Sequence, residues 1–344
     1  MNIKDRIGRF LEDHPVVRYA LPNLGMYLTA AVLVIFFVFI IPRLMPSNPI
    51  QILMAQSLSG GGGNAAAMRD MLMERYALNA PLLTQLEKYL TGLINLDLGQ
   101  SIAFWPQSVV SLILEKLPWT LLLVIIGLIT SYYGGAYLGS LVSYSDNKIL
   151  SYFYNGLVTV SRTPVFWFGM LLLYLFAYKF EIFPSSGAYS ADLPLFSING
   201  IISLLHHLIL PLLSITIVVL GYFAFSMRSM MTYEVETDYV KYSRGLGFSN
   251  GKLRSYSKDN AIIPLFSQLP IQFNALVGYT IVAEIAFNYP GLGFLMLRAI
   301  NNQDYPLIQG TVLFLAFVVL IGNFLIDLAY SWVDPRIRKG YSEG

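Results

Sequence analysis

The sequence predicts an all-α membrane protein of six transmembrane helices, with a sizeable external region between spans one and two. Hydrophobic residues fill 56% of the 344 positions and charged residues only 12%, about half the charged share of a soluble domain. Several apolar runs exceed the roughly 18 to 20 residues that cross a bilayer as a helix. These runs do not alternate as barrel strands do, and a backbone in lipid must satisfy its own hydrogen bonds.

Residues 1–23 form an N-terminal cytoplasmic segment. Ile3, Ile7, Phe10 and Leu11 share one helical face, with Lys4, Arg6 and Arg9 off it, which reads either as an interfacial helix on the inner surface or as a frayed terminus. The apolar run that follows is too long for a cleaved signal peptide, and no small-x-small cleavage site is evident. The first span is 24–45. Residues 46–117 are the external region: a glycine-rich connector, Ser59–Asn64, then short helical pieces near 65–76 and 82–94. Residues 118–333 make a five-helix core, with spans at 118–143, 153–178, 206–230, 261–286 and 308–332. Residues 334–344 are a cytoplasmic tail.

Six spans put both termini on one side. With the termini inside, fourteen Lys and Arg fall on inner segments and seven on outer ones, so the positive-inside rule makes the polar stretch 234–264 cytoplasmic. The net charge of +2 gives no argument for nucleic acid. The absence of cysteine excludes disulfides, thiolate metal sites and cysteine nucleophiles. His206 and His207 are adjacent, and adjacent helical residues do not converge on one metal; they read as an interfacial pair.

The stretch 234–264 carries a dense share of the charge. Tyr239, Tyr242 and Leu246 recur at helical spacing. Gly245 and Gly247 bracket the end of that helix, where a left-handed residue or a close backbone approach suits glycine. Ser249 is placed to cap a second helix presenting Leu253 and Tyr256, and Pro264 marks the start of the next span. Two readings stand on the residues alone: a helical knob that seats in a partner's groove, or a solvated loop.

The pattern Glu236-Thr-Asp238-Tyr239-Val-Lys-Tyr242-Ser-Arg244-Gly-Leu-Gly247, followed by Asn260-Ala-Ile-Ile-Pro264, resembles the EAA coupling loop of binding-protein-dependent ABC importers. Within these it is most similar to the dipeptide/oligopeptide/nickel permease family. Gly245 and Leu246 stand where that family more usually has Ala and Lys. The resemblance continues through Tyr76–Pro81, Leu96–Ile102, Pro164–Gly169, Ala283–Gly293, Asp304–Gly310, Asp327 and Asp334-Pro-Arg336, in order.

The resemblance implies a type I importer permease that pairs with a second homologous permease and moves solute by alternating access between them. Two ABC ATPase subunits would bind the cytoplasmic loops, here 234–260, and an external binding protein would deliver the cargo. Glu236, Asp238, Tyr239, Tyr242, Arg244, Gly247, Leu253 and Pro264 are the candidate coupling residues. The chain has no G-x-x-x-x-G-K-[ST] phosphate loop, so ATP and Mg are expected on the partner subunits, with no cofactor or catalytic group here. Peptides and oligosaccharides are the expected cargo, nickel less so given three histidines.

Five residues are gate candidates. Glu284, with the Pro290-Gly291 turn, either shapes an external gate or is a helix-end carboxylate exposed to water. Asp327 either pairs with Arg162 to hold an inner gate or reaches up to the interface. The competing classes are an ion-coupled secondary transporter or channel, which usually has ionisable residues at mid-depth, and a membrane hydrolase, which needs converging His, Asp or Glu.

Overall fold

The computed structural model describes residues 15–44, 80–190 and 192–333. The expected interfacial helix at 3–11, the glycine tract, the helical piece at 65–76 and the tail at 334–344 lie outside these residues. Every regular element described is helical. The first, α1, runs Pro15–Leu44, and α2 (Leu82–Ile94) follows. Next come α3 (Val109–Ser143), α4 (Lys148–Val160) and α5 (Val165–Leu172), the last continuing as a π-helical turn, Leu173–Lys179. Then α6 (Ile198–Val235), α7 (Asp238–Gly245), α8 (Asn250–Phe266), α9 (Leu269–Ala286), α10 (Leu292–Asn301) and α11 (Tyr305–Val333) complete the order.

Four helices, α3, α6, α9 and α11, are long and apolar enough to cross a membrane. The pair α4 and α5 passes the same test together but is bent by 115°, and α1 carries a shorter apolar helical stretch, Leu24–Ile40. The expected continuous span at 153–178 is therefore corrected. Its break has a local cause: Pro164 has no N–H to continue a helix and pushes Thr163 out of the helical region. The chain closes α4 with Ser161 N–H to Leu157 O (2.9 Å) and Thr163 N–H to Val160 O (2.9 Å).

Two other boundaries move. α3 begins at Val109, where Ser108 Oγ accepts from Ser111 N at 3.1 Å, so Pro118 lies inside the helix rather than at its start. Pro264 likewise lies inside α8, and the turn into α9 comes at Ser267–Gln268.

The chain divides into two compact units, 1–27, 119–290 and 321–344 against 28–118 and 291–320. In the first, α3 packs closely on α6. A Cβ on Gly135 would lie 2.5 Å from Phe223 Cβ, and one on Gly139 would lie 2.5 Å from Ala224 O. This is the small-x-x-x-small spacing that brings membrane helices into backbone contact, where dispersion replaces the missing hydrophobic drive. A core that includes Leu123, Val165, Ile215, Val218, Phe287 and Tyr289 fills this unit. The loop after α5 is pinned to it: Gly187 N–H donates to Phe287 O (3.3 Å), and His206 Nε2 donates to Ile182 O (2.8 Å). Trp119 stacks on Tyr189 of that loop and meets Tyr289 edge-on.

Candidate functional site: the α7–α8 knob

The stretch 237–260 folds as two short helices joined by a glycine turn. Thr237 takes the N-cap of α7, and Asp238 places its negative charge in the first turn, where the helix dipole favours it. The far end is a Schellman cap. Phe248 N–H donates to Ser243 O (3.2 Å) and Gly247 N–H to Arg244 O (2.9 Å), which needs the left-handed φ of +81° found at Gly247. Arg244 lies in the last turn, at the negative end of the dipole. Ser249 is the N-cap residue of α8, but its side chain makes no capping hydrogen bond.

The knob is anchored by a few inward residues. Val240 of α7 is fully buried, as are Leu253, Ser257 and Leu265 of α8. The Ser257 and Tyr144 hydroxyls are 2.8 Å apart, tying α8 to the end of α3. Tyr239 joins three helices: its hydroxyl donates to the Glu234 carboxylate at the end of α6 and accepts from Asn260 Nδ2 of α8 at 2.9 Å. Burial first, then the Glu234 hydrogen bond, raises the Tyr239 phenol above its ordinary pKa, so it remains a donor at physiological pH.

The outward face is apolar at its centre. Tyr242 is 71% exposed and Leu246 is 59% exposed. Glu236, Asp238, Arg244, Gly245 and Gly247 are exposed around them. Leu253 is corrected: at 0% exposure it belongs to the knob's attachment, while Tyr256, three residues on, keeps partial exposure and packs its ring against Phe248. Periodicity placed Leu253 and Tyr256 on a common face; the packing of α8 against α6 and α3 divides them. Pro264 is exposed. The anchors Glu234, Val240 and Ser257 were missed. The apolar Val240 between two exposed tyrosines was the available signal.

The gate candidates are placed differently from expectation. Glu284 is 0% exposed, so it is not a carboxylate reaching water from a helix end. The chain turns just beyond it, with Tyr289 N–H donating to Glu284 O (2.8 Å) and Asn288 in the left-handed region at φ 46°. Burial first, then the Glu284 charge, pushes the Tyr289 phenol up. Pro290 follows, and Gly291 caps α10 in an extended conformation. Asp327 and Arg162 are not paired. Asp327 accepts from Tyr27 Oη at 2.6 Å, and the Arg162 guanidinium lies 5.5 Å from the Phe225 ring centroid.

In the second unit, two of the quoted sequence blocks meet. Asp304 is fully buried ahead of α11. One carboxylate oxygen accepts from Ser101 Oγ and from Ala103 N (3.0 Å), and the other accepts from Leu307 N (3.1 Å). Gln309 Nε2 donates to Val38 O at 2.9 Å. A buried carboxylate is tolerable when its lone pairs are met this way.

Long apolar helices with a solvent-facing helical knob define a polytopic membrane protein. The chain matches the family described as "Binding-protein-dependent transport system inner membrane component" over residues 135–339. It belongs to that family and is a permease of an ABC importer of the peptide type. It is 30% identical over 324 residues to a Brucella abortus (strain 2308) protein provisionally named a peptide transport system permease, covering 92% of this chain and 98% of the relative. The oligopeptide transport system permease protein AppB of Bacillus subtilis (strain 168) is 28% identical over 305 residues, 87% of this chain and 92% of AppB.

Proposed function

We propose that this permease carries a peptide across the plasma membrane and is driven through the α7–α8 knob by ATPase subunits. The named relatives support a peptide cargo. In this reading the termini and the knob are cytoplasmic, a second permease completes the solute path, and an external binding protein loads it. ATP and Mg act on the ATPase subunits.

One observation carries the coupling role: an exposed apolar centre, Tyr242 and Leu246, mounted on a knob that Tyr239 ties to two neighbouring helices. Exposed apolar side chains ringed by charge suit a protein groove. Hydrogen bonds across α6, α7 and α8 let a push on the knob reach the long helix α6 as rigid-body motion. Tyr242, Leu246, Arg244 and Gly247 form the contact, Glu236 and Asp238 its rim, and Tyr239 the tie. Glu284 with the Pro290-Gly291 turn shapes the outer gate. Asp327 holds the inner end through Tyr27 rather than Arg162.

The test is uptake by the complete importer in proteoliposomes with ATP hydrolysis measured in parallel. Gly247→Pro demands a φ near −65° where +81° is needed. It is expected to abolish binding-protein-stimulated uptake while the protein still inserts and copurifies with its partner permease. Normal uptake per ATP in that variant would remove the coupling role.

A further inference from the structure

Two cations of the first unit have no part in the coupling or gating described above. Arg162 follows the end of α4. Arg228 lies on α6, seven residues before its last residue, Val235, or about 10 Å along the axis. Among the described residues no carboxylate pairs with either guanidinium. Each rests instead against a ring of the other helix: Arg162 over Phe225 at 5.5 Å and Arg228 over Tyr154 at 4.8 Å. The helices approach closely at this seam, where a Cβ on Gly221 would lie 2.5 Å from Ser161 Cβ.

The seam gives the Arg162 side chain a direction. Ser161 meets α6 at Gly221, yet the guanidinium one residue later reaches Phe225, four residues nearer the knob, or about 6 Å along the axis. The stem therefore runs toward the end of α6 that carries the knob, as an arginine does when its head seeks the membrane interface. Phe225 and Arg228 are one turn apart, so both cations flank the same strip. Contact with a ring occupies the face of a guanidinium and leaves N–H donors at its edge. Such a fork suits a phosphate. The exposed surface on either side along the chain is apolar, with Tyr152 and Phe153 on α4 and Phe166 and Trp167 on α5. An anion settling here gains by bringing apolar groups with it. A phospholipid brings them and a free phosphate ion does not.

We infer that Arg162 and Arg228 bind the phosphate of an anionic phospholipid of the inner leaflet at the α4–α6 seam. The leaflet rests on the cytoplasmic placement of the knob proposed above. The negative surface of that leaflet draws basic side chains to it.

The experiment uses the complete importer in phosphatidylcholine nanodiscs carrying a trace of spin-labelled phosphatidylglycerol or spin-labelled phosphatidylcholine. Electron spin resonance reads the fraction of each held at the protein surface. The unmodified importer is expected to hold the anionic lipid in excess. Arg162→Gln and Arg228→Gln should each lower its relative affinity about fivefold, the worth of one basic side chain beside an anionic headgroup, and the double variant should remove the excess. Arg162→Lys keeps the charge without the fork and should fall between. Lys252→Gln takes one charge from the exposed knob and should leave the excess unchanged. An undiminished excess in the double variant would overturn the inference, as would an equal loss in Lys252→Gln or displacement of the lipid by millimolar inorganic phosphate. Loss of copurification with the partner permease or the ATPases in either Gln variant would assign the pair to a subunit contact and overturn it too. Orientation is read separately. The chain has no cysteine, so Tyr242→Cys places its single thiol on the knob. Labelling of that thiol from outside intact cells by an impermeant maleimide would overturn the cytoplasmic placement, and the leaflet with it, without altering lipid retention.

Discussion

The α7–α8 knob and the Asp304 cluster both come from sequence blocks on which the family resemblance was read, yet they invert each other's design. The knob turns Tyr242 and Leu246 outward and depends for its tie on a partly exposed hydroxyl, that of Tyr239. The Asp304 cluster buries a charge and meets it with a hydroxyl and two backbone N–H groups. The first arrangement leaves bonding capacity for another molecule, whereas the second spends it within its own unit. A sequence motif can thus mark a surface to be met or a joint to be kept, and burial separates the two.

Breaking the joint should have the largest effect. Asp304→Ala would strand the Ala103 and Leu307 N–H groups and the Ser101 hydroxyl, and is expected to cost about 3 kcal/mol or more. Thermal unfolding of the purified protein in detergent measures this, and a melting temperature within a degree of the unmodified protein would refute it. Asp304→Asn, which keeps acceptor capacity on the same shape, should lose less. Next comes the tie of the knob. Tyr239→Phe removes the hydroxyl between Glu234 and Asn260 at about 1 kcal/mol or a little more. It should reduce uptake per ATP several-fold while the melting curve barely moves. The smallest effect on the isolated chain belongs to Leu246→Ala. An exposed side chain contributes within about 0.5 kcal/mol to folding, yet affinity for the ATPase subunit should fall by about 1–2 kcal/mol if the residue fills a groove. Equal affinity, measured by titrating ATPase into the reconstituted permease, would end the contrast between knob and joint.

Much of the architecture could be read from hydropathy, because a helix in lipid must be long and apolar wherever it packs. The apolar runs behind α3, α6, α9 and α11 were visible, and so was the helix pair around Gly247. What escaped depends on partners distant in sequence. Nothing local says that Glu284 is fully buried or that Asp327 receives a proton donor from Tyr27, 300 residues away. Leu253 and Tyr256 share a periodicity, and only the crossing of α8 with its neighbours makes one an anchor and leaves the other partly exposed. The sharp bend at Pro164 was signalled by the proline itself, but hydropathy averaged over 153–178 concealed it. Gly135-x-x-x-Gly139 was equally legible as a site of close helix approach, being a spacing rather than a fold-level fact.

The packing of Trp119 against Tyr189 and Tyr289 has an optical consequence. The ring centroids are 5.9 and 6.0 Å apart, near enough for the tyrosines to pass excitation to the indole and for their shielding to set its emission colour. Tyr189 rides on the loop held by Gly187 and His206, so release of that loop would wet the indole and redden its light. With only four tryptophans in the chain, replacing the other three by phenylalanine leaves a native lamp whose hue would report, without any attached dye, any release of that loop.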